Sequence, residues 1–128
     1  FRMTRRLSGR ATLTRDDLGL WREDAVAMTG DWRGPAPVYT IGLNHLMGRH
    51  DNLLSAGRCI SAAGEAWEVM RVIQAAAHTG EIAGVAAALA VRGDTTPDAL
   101  DVARLRAELA PRGVRFARED GPARSCGG

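Results

Sequence analysis

The sequence predicts an α/β fold with a cofactor pocket wall built from one strand, one turn and one helix. Three observations carry this. An apolar segment, Leu53 to Ile60, reads as a strand with Leu53, Leu54, Ala56 and Ile60 on both of its faces, as suits a parallel strand covered on both sides. A small-residue turn follows, Ser61-Ala62-Ala63-Gly64. A long Ala/Gly-rich helical run then starts near Glu65, with Ala76, Gly80, Gly84 and Ala88 recurring every fourth position. Gly inside a helix costs about 1 kcal/mol relative to Ala. Two on one stripe therefore predict that the helix backbone lies very close to a sheet or a cofactor. Ligands of open α/β sheets bind at the carboxyl ends of strands, where Gly57 removes a side chain.

Taken in order, Leu7 to Leu13 alternates loosely and reads as a strand. Thr14-Arg15-Asp16-Asp17 has capping-box spacing and predicts a short helix to about Leu20. Glu23 to Thr29 reads as a short strand ending at Gly30. Asp31 to Pro37 has the composition of a loop. Val38-Tyr39-Thr40-Ile41 is β-branched and aromatic, hence a strand, and Gly42 to His50 is irregular. Glu65 and Glu68 sit in the first turns of the long helix, where they complement its dipole. Gly93-Asp94 ends it. Thr96-Pro97 then starts an amphipathic helix over 98–110, with Leu100, Val102, Leu105 and Leu109 on one face and Pro111-Arg112-Gly113 as its stop. Val114 to Phe116 reads as a short terminal strand, and the polar 117–128 segment as a disordered tail.

Composition narrows the function classes. The 128 residues suffice for one domain with a core. The 17 basic residues are all arginine; with 15 acidic residues they give a net charge of +2. The arginines are dispersed, and few aromatics accompany them, which argues against a nucleic-acid module. Cys59 and Cys126 form no disulfide framework, and Cys59 is expected to be buried, pointing to a reducing, cytoplasmic setting. The apolar run Val69 to Val91 contains Arg71, Gln74, His78 and Glu81, which argues against a membrane span. The histidines have no metal-ligand spacing, and His45 is expected in a loop or on a helix surface. The chain opens on Phe1 rather than Met, which reads as a piece of a longer protein.

The block Asn52-Leu53-Leu54-Ser55-Ala56-Gly57-Arg58-Cys59-Ile60-Ser61-Ala62 resembles the C-terminal flavin-binding motif of bacterial FAD-dependent oxidoreductases of the glutathione-reductase-like superfamily. So do Arg71-Val72 and the run Thr79 to Ala90. The likeness extends to Arg5–Gly9, Leu13–Asp17, Asp24–Ala27 and the helix bearing Leu100, Val102, Leu105 and Leu109. It implies an incomplete FAD/NAD(P)-binding (Rossmann-like) domain. Residues 1–50 would be a remnant of the substrate domain, and 51–116 the C-terminal part of the FAD-binding domain. Such proteins carry a Gly-rich dinucleotide fingerprint near the N-terminus, and none occurs among these residues.

By the same resemblance, Gly57 and Arg58 lie beside the flavin's ribityl and pyrophosphate, and the flanking Ala56 and Cys59 are counted with them as cofactor-binding. Arg71 and Val72 lie by the start of the regular helix, near the pyrimidine edge. Arg58 and Arg71 also read, without the resemblance, as ordinary ion-paired surface arginines. Gly64 and Trp67 stand where the family often has histidines, and Gly42, Leu43 and Asn44 where it has Pro, Tyr and Arg. Family catalytic residues therefore do not transfer to these positions. The implied activity is hydride transfer through FAD, with a missing N-terminal half or a partner chain completing the site. The other reading is a non-catalytic α/β module for homo-oligomerisation or partner docking.

Overall fold

The computed structural model describes residues 5–35 and 38–116; the tail expected over 117–128 lies outside them. Two strands, β1 (Ala25–Gly30) and β2 (Val38–Gly42), pair antiparallel, with Ala27 opposite Ile41 and Gly30 opposite Val38. They confirm the two strands read over 23–29 and 38–41. Ala25, Val26 and Ala27 are consecutive and all buried, so this end of β1 is covered on both faces. Helices α3 (Ile73–Arg92) and α4 (Val102–Leu109) both pack against β1. With the four-residue α1 (Leu43–Leu46) and with α2 (Gly64–Met70), the fold is α/β, with four α-helices among the described residues. One hydrophobic core joins Leu13, Val26 and Ile41 to Ile60, Ile82 and Leu105.

The central strand expected over Leu53–Ile60 does not form. Only Leu54 pairs, in a single antiparallel bridge to Met47, beside a 2.7 Å bond from the Ser55 N–H to the Leu46 carbonyl. Leu53 is 44% exposed. Gly57 then adopts φ +63° and turns the chain into a 3₁₀ turn, Gly57–Cys59. The left-handed φ opens a 3₁₀ turn rather than continuing an extended run, so the glycine read as a strand end is a reversal point. Cys59, expected inside, is exposed.

The segment over 7–13 is likewise held without a strand. Leu7 N–H donates to the Cys59 carbonyl at 2.8 Å, Leu13 N–H to the Ser61 carbonyl at 2.9 Å, and Ala63 N–H to the Leu13 carbonyl at 2.8 Å. Leu13 thereby makes one parallel bridge to Ala62.

The long helical run is two helices bent by 81°. Helix α2 closes at Arg71, and Val72 is extended, with ψ 156°. No single helix among the described residues is long and apolar enough to cross a membrane. Helix α3 buries Ala75, Thr79, Ile82, Ala86, Leu89 and Ala90, a 3.6-residue period. The small-residue stripe faces elsewhere. A Cβ added at Gly80 or Gly84 would meet nothing within 4 Å, and both glycines are exposed, as is Ala88. The close approach expected along the stripe is made only at Ala76, which lies against the Gly57 turn; it is absent over Gly80, Gly84 and Ala88 because the core-facing residues lie on the other side of the helix.

The smaller elements are shorter than expected. Thr14 caps a 3₁₀ turn, Arg15–Asp17, its N–H donating to Asp17 Oδ2 at 2.7 Å. The helix expected over 98–110 divides into a 3₁₀ turn, Pro97–Ala99, and α4, because Asp101 intervenes as N-cap and accepts the Ala103 N–H at 2.9 Å. Residues 114–116 are not a strand.

Candidate functional site

The residues singled out in the sequence fall at two places that α2 connects. One is the Gly57–Cys59 turn; the other is the break at Arg71-Val72. The turn packs against the first half of α3. The Gly57 N–H donates to Thr79 Oγ1 at 2.8 Å, and the Thr79 hydroxyl donates to the Ala75 carbonyl at 2.7 Å. A Cβ on Gly57 would lie 3.3 Å from the Ala76 Cβ. Positive φ and this close approach together require glycine here. On the other side, the Trp67 indole N–H donates to the Arg58 carbonyl at 2.7 Å, so α2 grips the turn as well. Ala56 leads into the turn in extended conformation, with φ −144°.

The break supplies different chemistry. Helix α3 starts at Ile73, directly after Arg71-Val72, and its first amides have no partners within the helix. Val72, its N-cap, brings no capping side chain. Arg71 Nε is buried without a hydrogen-bond partner among the described residues. A helix N-terminus beside a guanidinium nitrogen with unused capacity favours negative charge. A reduced flavin carries such charge on its N1/O2 edge, so Arg71 and the foot of α3 fit that part of FAD. Cys59 has no second cysteine among the described residues to form a redox pair.

Two buried polar residues were missed in the sequence. Thr79, which fixes the Gly57 turn, reads there as one more residue of an Ala/Gly helix. Its signal was a β-branched hydroxyl residue three and four positions from Ala76 and Ala75, whose carbonyls it can reach. His45, expected on a surface, is fully buried. Its Nδ1 accepts the Gly42 N–H at 2.9 Å and its carbonyl accepts the Ser61 N–H at 2.8 Å. Burial, reinforced by the charge of Arg22 and opposed by Asp24 and Asp17, pushes the imidazole down to about 4. Asp24 sits beside it. Burial raises its carboxyl, but the Asn44 amide and the Arg22 guanidinium outweigh burial and hold it below the usual carboxylate range.

Among the described residues no group of three or more His, Cys, Asp or Glu side chains is placed to hold a metal ion. Comparison with curated proteins gives no match, and comparison with solved structures gives none either. The comparison with family models does give one: residues 1–109 match the family described as FAD dependent oxidoreductase, most of the chain. The chain belongs to the FAD dependent oxidoreductase family, whose cofactor is FAD.

Proposed function

We propose that this chain is the C-terminal FAD-binding portion of a flavin-dependent oxidoreductase, with the ADP-binding half supplied by residues outside these 128 or by a partner chain. Residues 1–50 then belong to the substrate side and 51–116 to the flavin side. FAD, when bound, supplies the hydride chemistry. The chain's own residues bind and orient it: Gly57 and Arg58 beside the ribityl and pyrophosphate, with Ala56 and Cys59 flanking them in the turn, and Arg71 and Val72 at its pyrimidine edge. The observation that carries this reading is the unpartnered Arg71 Nε at the uncapped start of α3, in a chain that matches the family over 1–109. The glycine stripe of α3 supports it in a new way. Its bare face has Ile73 and Val91 at its ends, 84% and 80% exposed, and suits coverage by the remainder of a flavoprotein.

The same bare face favours a second reading, a docking or oligomerisation module, which predicts self-association without flavin. A fluorescence titration with FAD separates the two. The chain alone is expected to bind weakly, with a Kd above about 100 µM, because no dinucleotide fingerprint is present. Joined to an ADP-binding half, it is expected to bind tightly, and Arg71→Gln then weakens binding about tenfold and lowers the flavin potential. No flavin uptake by the joined protein overturns the flavoprotein reading.

A further inference from the structure

The Gly57–Cys59 turn is held more firmly than a surface turn requires. Arg58 and Cys59 are exposed, so they add little to the core. Yet four consecutive peptide units here are each fixed by a hydrogen bond. The Gly57 N–H donates to Thr79 Oγ1 on α3 at 2.8 Å. The Gly57 carbonyl accepts the Ile60 N–H at 3.2 Å. The Arg58 carbonyl accepts the Trp67 indole N–H from α2 at 2.7 Å. The Cys59 carbonyl accepts the Leu7 N–H at 2.8 Å. The second of these bonds is local to the turn. The other three come from three separate segments of the chain.

A surface turn folds without such bracing. Its carbonyls can bond to water at little net cost, and loop backbones are ordinarily mobile. Bracing matters where a turn must present its groups in one geometry, because a turn ordered beforehand loses no backbone freedom on binding. Two side chains supply the brace, Thr79 from α3 and Trp67 from α2, and both grip backbone atoms.

We propose that Trp67 and Thr79 are positioning residues for FAD, holding the Gly57–Arg58 backbone in the geometry that receives the ribityl and pyrophosphate. This rests on the flavoprotein reading above and adds to it two residues that act through the turn. It carries a redox signature. The ribityl and pyrophosphate keep the same charge in oxidised and reduced FAD. A brace acting there contributes equally to both states, so its loss weakens binding without shifting the potential. Arg71 differs, because it faces the edge where charge changes. Trp67 is also tied to that edge, since its carbonyl accepts the Arg71 N–H at 3.2 Å. If Trp67 only stabilised α2, its replacement would disturb Arg71 and move the potential too.

The first test uses the 128-residue chain without flavin. By ¹⁵N relaxation, the Arg58 and Cys59 amides are expected to have order parameters of about 0.85. In Trp67→Phe, which keeps an aromatic ring on α2, and in Thr79→Val they fall toward about 0.6, and Thr79→Ser restores them. An unchanged value in either variant overturns the proposal for that residue. The second test measures FAD affinity and flavin potential in the chain joined to an ADP-binding half. Trp67→Phe and Thr79→Val are each expected to weaken binding about fivefold, as loss of one hydrogen bond predicts, with the potential unmoved. A potential that shifts along with affinity overturns the positioning role. Unchanged affinity in both variants also overturns it and leaves the FAD reading standing. No FAD uptake by the unaltered joined protein overturns the FAD reading itself, and this inference with it.

Discussion

The two sides of α3 carry similar residues and do opposite things. One side has Ala75, Thr79, Ile82, Ala86, Leu89 and Ala90, all buried. The other has Gly80, Gly84 and Ala88, exposed, with Ile73 and Val91 at its ends. Both are rich in small residues, so composition does not distinguish them. The buried side differs in having three anchors: Ile82 and Leu89 fill the core, and Thr79 bonds across to the Gly57 turn. Small residues permit close approach, but only a partner surface produces it. Among the described residues that partner exists on the anchored side alone.

The largest test of this contrast is Ile82→Ala, set against a change on the bare side. Ile82 is fully buried, so truncation removes its transfer energy and leaves a cavity, costing about 3 kcal/mol. Ile73→Ala, at an 84% exposed site, is expected to fall within about 0.5 kcal/mol of the unaltered chain. Chemical denaturation of both variants decides it. Equal losses would mean that the bare side is packed after all.

A pH titration of stability reaches the same packed side through its support. The His45 carbonyl holds the Ser61 amide, just beyond the Gly57 turn that rests on α3. His45 is pushed down to about 4 in the fold, against about 6.5 in an unfolded chain. The unfolded state therefore binds the extra proton first as pH falls. This contribution is complete above about pH 6.5 and is lost progressively as pH drops toward 4, by up to about 3 kcal/mol. Protonation also removes the Nδ1 lone pair that accepts the Gly42 N–H. In His45→Gln the stability curve from pH 6.5 to 4 is expected to flatten; an unchanged curve would place the acid sensitivity elsewhere.

Strand β2 was legible because its β-branched and aromatic residues have a local preference that pairing then satisfies, and β1, Ala-rich with only Val26 and Thr29 β-branched, carried the weaker signal. The Thr14 cap was legible because capping chemistry is local, whereas the Asp101 cap, inside a run read as one helix, was not. What failed was non-local. Leu53–Ile60 has a strand's apolarity, yet nothing in the segment reveals that Gly57 will adopt φ +63° against Ala76. The helix break at Arg71-Val72 has neither Pro nor Gly at its vertex, so no breaker announced it. The resemblance had nevertheless set the start of the regular helix beside Arg71 and Val72, and α3 begins at the next residue. The glycine stripe was visible in the sequence, but which side meets the core was not, because that depends on where Thr79 and Ile82 find partners.

Thr79→Val isolates the polar anchor from the apolar ones. Valine keeps the shape but leaves the Gly57 N–H, now bonded at 2.8 Å, without an acceptor. A buried donor left unpaired costs about 2 kcal/mol. Thr79→Ser keeps the hydroxyl and is expected to recover roughly half or more of that loss. If valine is as stable as threonine by thermal melting, the turn is held by packing against Ala76 alone and the hydrogen bond adds nothing.

The smallest effect has the most informative sign. Gly80→Ala and Gly84→Ala place methyl groups where nothing lies within 4 Å. In the chain alone each is expected to stabilise by about 1 kcal/mol, since alanine loses less backbone entropy in a helix than glycine. In a flavoprotein whose remaining half covers this side, the same methyls would stand between two closely packed backbones, and crowding there costs about 1–3 kcal/mol. The sign should therefore reverse between the isolated chain and the completed protein, read as a higher melting temperature in the first and a lower one in the second. Stabilisation in both would mean that the glycines leave room for no partner and that the bare side is a true outer surface. Destabilisation in the chain alone would mean that the stripe already packs against this chain, reversing the contrast between the two sides of α3.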